Sequence, residues 1–188
     1  DDEQIVTHCD FGKVQVIQTL RLYRNPSTRV KDMVLISYAI KNNDVVSHNV
    51  GVRLMLDTKL GSNDGAPFRI GSRSVTSELR LKGEALFDYW QTFDDLVSPN
   101  VIAQGIFRLP DEQVFPPDNL YLVNWGKVAD YLWNFPYYEG RSFIREGEFE
   151  NDTALAMYWE PQVISVDGSR EVKTLYGLGG LSLQSGQL

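Results

Sequence analysis

Asp57, Asn63 and Asp64 fall within one short stretch, VGVRLMLDTKLGSNDGAPF (50–68), and each offers side-chain oxygen. Calcium takes about six to eight hard oxygen ligands, some of which a loop can supply as backbone carbonyls. The spacing does not match the D-x-[DN]-x-[DN]-G pattern of an EF-hand. The same residues also suit an ordinary turn, with Asn63 or Asp64 bonding its own backbone and Gly65 at positive φ. Two readings stay open: calcium on Asp57, Asn63 and Asp64, or a turn with no cofactor.

A second group interleaves rings and charges. Trp90, Trp125, Trp133, Tyr137 and Tyr138, with Asp94, Glu139 and Arg141, lie where strand periodicity fails. Sugar rings have apolar faces that stack on aromatic rings and hydroxyls that need Asp, Glu or Arg partners. Concave sites with such mixed linings are the usual ligand sites. These eight residues are the expected ligand-binding set, for carbohydrate or a cell-surface polymer. Any one ring taken alone suits a core better, because aromatics dominate cores by area.

No residue is assigned a catalytic role. Asp94 and Asp95 are sequence neighbours, which point apart on a strand. Glu146, Glu148 and Glu150 would share one face, as solvated charges do. There is no G-x-S-x-G, H-E-x-x-H, P-loop or dinucleotide fingerprint. Two histidines, His8 and His48, leave little from which to build a triad or a histidine metal centre.

The elements that must position these residues read mainly as strands. Val14, Val16, Leu20 and Leu22 share one face of the run 13–24, and Val34, Ile36, Tyr38 and Ile40 one face of 30–40. The turn Asn25-Pro26-Ser27-Thr28 joins them as a hairpin. Residues 50–58 make a third strand, so the three predict an antiparallel meander. Short strands are expected at 67–70, 74–81, 101–109 and 120–125, and a short helix over 125–133. The stretch 83–100 is neither cleanly strand nor cleanly helix, and 135–152 reads as loop. Three closing strands, 153–159, 162–166 and 171–178, surround an Asp167-Gly168 hairpin signal, with 181–188 as a tail or edge strand.

The 188 residues, 43% hydrophobic, suit one full-sized β domain over 1–188. Runs of ten or more residues exceed the usual strand, which favours a large two-sheet antiparallel β-sandwich with one or two short helices. The net charge of −7, with no basic run, argues against nucleic acid and anionic membrane, and no apolar run is long enough to span a bilayer. Cys9 is the only cysteine, so no internal disulfide forms. The first residue is Asp, which reads as a chain processed or cut from a longer one.

The hairpin VQVIQTL–MVLISYAIKNND, the strand HNVGVRLMLD and the closing YWEPQVISVDGSREVKTLYGLG resemble the supersandwich of the galactose mutarotase-like superfamily. Residues 50–68 also resemble a stretch found in uncharacterised secreted bacterial domains. The resemblance implies a large sandwich that handles carbohydrate, at the cell surface or outside the cell. Mutarotases use paired histidines and a glutamate base; His8 and His48 are the only histidines here, and no glutamate matches. A non-catalytic binding module is the expectation, with carbohydrate or neighbouring domains of a parent chain as partners. A supersandwich-type epimerase or glycosidase and a purely structural surface domain are the alternatives.

Overall fold

The computed structural model describes residues 3–25, 28–149 and 151–179. The stretch 181–188, expected as a tail or edge strand, and the turn residues Pro26 and Ser27 lie outside them. The chain forms β1 (Gln4–Phe11), β2 (Val14–Tyr23), β3 (Met33–Asn42), β4 (His48–Asp57), β5 (Phe68–Ile70) and β6 (Arg73–Val75). It continues through β7 (Leu79–Lys82), β8 (Tyr89–Phe93), β9 (Ile102–Ile106), β10 (Asn119–Asn124), α1 (Trp125–Ala129), β11 (Thr153–Ile164) and β12 (Ser169–Leu178). Single 3-10 turns occupy Gly83–Ala85 and Pro110–Glu112. Among the described residues no helix is long and apolar enough to cross a membrane.

Two antiparallel sheets make a β-sandwich. The larger has the order β1-β2-β3-β12-β9-β8-β5-β6 and the smaller β4-β11-β10-β7. The core between them follows from period two. Leu120 and Leu122 of β10 and Leu155, Met157 and Trp159 of β11 point inward, against Phe68, Trp90 and Val172 of the larger sheet. Trp90 is fully buried and stacks on Tyr176 with ring centroids 5.6 Å apart. Gly105, its partner across the ladder, makes room: a Cβ there would lie 2.1 Å from the indole.

The meander is β1-β2-β3 rather than β2-β3-β4. After β3 the chain leaves the sheet, and β4 pairs with β11 in the other layer. Buried Asn42 fixes this corner, its amide donating to the carbonyls of Val46, Ile164 and Ser165. The Asp167-Gly168 turn likewise forms, with Asp167 at φ 56°, but it joins two sheets instead of closing a hairpin. The expected strands at 153–159 and 162–166 are one strand, β11, with its register broken between Trp159 and Gln162 where Pro161 lacks an N–H. The helix expected over 125–133 stops at Ala129.

Candidate functional site

Only part of the ring-and-charge group reaches the surface. Trp90 is core and has no face to offer a ligand, which corrects its place among the binding residues. Trp133 and Tyr137 are half-buried on the outer face of the smaller sheet, where Trp133 meets Tyr158 edge-on at 5.1 Å and Tyr137 meets Tyr121 at 5.4 Å. Trp125 and Tyr138 are exposed, as are Glu139 and Arg141, with the Arg141 guanidinium 5.6 Å from the centre of the Tyr138 ring. Asp94 is spent on local structure. Its Oδ1 accepts from the backbone N–H of Asp95, Asn100 and Val101, and these bonds, that from Val101 foremost, hold its carboxyl below the usual range.

The segment carrying these rings is pinned from beneath. Glu78 and Lys127 form an ion pair in which both side chains are buried. Glu78 Oε2 also accepts from the Tyr138 N–H at 3.4 Å, and the Glu78 carbonyl accepts from the Gly140 N–H at 2.8 Å.

The carboxylate loop differs from its expected ligand set. The Asn63 side-chain Oδ1 accepts from the Gly65 N–H and its side-chain amide donates to the Asp94 backbone carbonyl, so the Asn63 side chain is engaged in the turn. Asp152, which precedes β11, lies beside Asp57 and Asp64. Asp57, Asp64 and Asp152 bring one carboxylate oxygen each within 4.8 Å of the others. Pairing explains the convergence: β4 ends at Asp57 opposite Ala154, and the Thr153 N–H donates to the Asp64 carbonyl. Burial and the charges of Asp64, Asp57 and Glu148 push the Asp152 carboxyl up to about 6. Lys59 binds Asp64 at 2.8 Å and neutralises one member. The three carboxylates are of the type and spacing that a calcium ion accepts. Sequence spacing could not reveal Asp152, which lies far along the chain and reaches the loop only through the β4–β11 ladder.

A cleft opens at the other end of the smaller sheet. It lies beside β4, the edge strand of the smaller, four-stranded sheet, and residues of β1, β2 and β3 of the larger sheet line it. The opening has a volume of about 410 Å³ and is lined by the apolar Phe11, Val16, Ile40 and Val50 together with Tyr38, His48 and Asn49. The Tyr38 hydroxyl accepts from the Gln18 amide at 2.7 Å, and His48 Nε2 lies 2.8 Å from Asp44 Oδ2. The His48 bond is the main cause that lowers the Asp44 carboxyl. His8 does not join this pair: it faces Ile17 across β1–β2, on the sheet face opposite Phe11 and Val14. The signal for the cleft was present in the sequence, since Tyr38 shares its face with Val34, Ile36 and Ile40. That alternation looks the same whether a second sheet covers the face or leaves it open.

No family model matches the chain, and no curated protein matches it. Among solved structures, a galactose mutarotase related enzyme from Lactobacillus acidophilus is similar in fold, with 8% sequence identity and a TM-score of 0.48. The match covers 100% of this chain and 71% of that one.

Proposed function

We propose that the chain is a non-catalytic module that binds carbohydrate or a cell-surface polymer outside the cell, and that the cleft between β2, β3 and β4 is its site. The observation that carries this reading is the lining of the cleft. Apolar side chains meet a ring, Tyr38, and a few polar groups from Tyr38, His48 and Asn49, at a size typical of small-ligand sites. Sugars present the same mixture, apolar ring faces edged by hydroxyls.

The second reading, a carbohydrate-active enzyme, is favoured by the His48–Asp44 pair at the same cleft, because a histidine held by a carboxylate is a common proton carrier. One experiment addresses both. Reducing sugars and short glycans are titrated into labelled protein, while the spectra also report interconversion of the sugar anomers. The binding reading expects shifts at Tyr38, His48 and Asn49 without faster anomer exchange. Asn49→Ala should weaken binding roughly tenfold, ~1.4 kcal/mol. Faster exchange that disappears in His48→Asn would establish the enzyme instead. If no glycan perturbs the cleft, the proposal fails.

A further inference from the structure

β1 closes one side of the larger sheet, and among the described residues nothing pairs with its outer edge. Natural sheets blunt such an edge with a short strand, a bulge, a proline or a lysine. β1 uses none of these. It is eight residues long, its register with β2 is unbroken from Gln4 to Phe11, and it contains neither Lys nor Pro. The opposite edge of the same sheet, β6, has three residues and begins with Arg73. Every residue of β1 is exposed, with Ile5 at 66% and Phe11 at 69%.

We propose that β1 pairs antiparallel with β1 of a second copy across a two-fold axis at His8, joining the two larger sheets into one. The inference does not rest on the carbohydrate reading. The direction of the backbone groups limits the register. The Glu3 carbonyl accepts from the Leu22 N–H, so the odd-numbered residues of β1 turn their backbone groups toward β2. Gln4, Val6, His8 and Asp10 therefore present theirs outward. With His8 on the axis, His8 bonds its own counterpart, Val6 bonds Asp10 of the partner subunit, and Gln4 meets Gly12 of the partner subunit.

The side chains favour a second copy over an unrelated partner, because this register is self-complementary. Ile5 meets Phe11 of the partner subunit, twice by symmetry, on the face that bears the cleft. Glu3 comes within reach of Lys13 of the partner subunit, so a carboxylate meets an ammonium at each end. Thr7 meets Cys9 of the partner subunit as a non-hydrogen-bonded pair, where opposed Cα atoms lie about 4.5 Å apart, within the span of a disulfide.

The test combines solution mass, two substitutions on β1 and cross-linking. The wild type should show twice the 21.4 kDa monomer mass by light scattering at high micromolar concentration. Val6→Pro deletes an outward N–H and costs no bond to β2, so it should give a folded monomer, whereas Thr7→Pro should disrupt the domain itself. Under mild oxidation Thr7→Cys should give a covalent dimer through Cys9 of the other copy, and Ile5→Cys should not. The inference is overturned by a wild type that stays monomeric. It is equally overturned by Ile5→Cys or the wild type cross-linking faster than Thr7→Cys, which would place another register. Slow, concentration-independent amide exchange at Val6, His8 and Asp10 would show the edge covered by the same chain, and would also overturn it.

Discussion

Asp152 is a single residue whose chemistry can be read from its neighbours. Its carboxyl lies at about 6 in the folded chain, against an ordinary value of 3.8. Between those two values the folded state holds more protons than the unfolded one, so stability falls as pH rises through the window and stays reduced above it. Asp152→Asn removes both the cost of burying a charged carboxylate and the repulsion with Asp64 and Asp57. At pH 7 it should stabilise the protein by about 1 kcal/mol after discounting for solvent screening, or roughly 2–4 °C in melting temperature. At pH 4 the gain should almost vanish. Equal melting temperatures for the two proteins at pH 7 would show that the cluster is not repulsive. A bound cation relieves the same repulsion, so the calcium expectation is checked by melting the wild type with millimolar calcium and with chelator. An unchanged midpoint leaves the loop as the turn that Asn63 and Gly65 make.

At the scale of elements, the ring-bearing segment is part of the fold and not an appendage. Val123, Val128, Ala156 and Tyr158 form a small outer core, over which Trp133, Phe135 and Tyr137 pack. The buried Glu78–Lys127 pair locks that cover to the start of β7. Lys127→Met leaves the Glu78 carboxylate buried without its partner and should cost about 3–5 kcal/mol in denaturant unfolding. Tyr138→Ala, at an exposed ring, should stay within about 0.5 kcal/mol. A small loss for Lys127→Met would mean that the pair does not hold the segment. The contrast also explains what could be read in advance. β2, β3 and β4 were legible because one face of each is apolar and the other mixed. β8 was not, since Trp90, Gln91, Thr92 and Phe93 are all buried and alternation disappears. Its polar members are satisfied across the sheet, where the Gln91 side-chain amide donates to the Gln104 side-chain Oε1 at 2.9 Å. The rings of 125–138 were legible as a cluster, but exposure depends on what each one packs against, and the packing partners Tyr121 and Tyr158 come from other strands.

The whole molecule is tied together by contacts distant in sequence. β12, near the end of the chain, lies between β3 and β9, and β11 lies between β4 and β10. Neither sheet can form from one half of the chain, and the main core draws side chains from both sheets. Sandwich topology of this kind is hidden from local patterns, because Asn42 or Asp167-Gly168 can mark a turn without saying in which layer the next strand lies. Its thermodynamic consequence is direct: all of 1–188 should unfold as one cooperative unit. Calorimetry should show one transition, with the calorimetric and van't Hoff enthalpies equal under conditions that keep the protein monomeric, such as the Val6→Pro variant. Reducing agent should not move the midpoint, since Cys9 is the only cysteine and is exposed. For the wild type the midpoint should rise with protein concentration, because association through β1 favours the folded chain by mass action. Two well-separated transitions in the monomeric variant would show that the layers, or the two halves of the chain, hold their structure independently, contrary to the interleaving of β11 and β12 between strands from the first half.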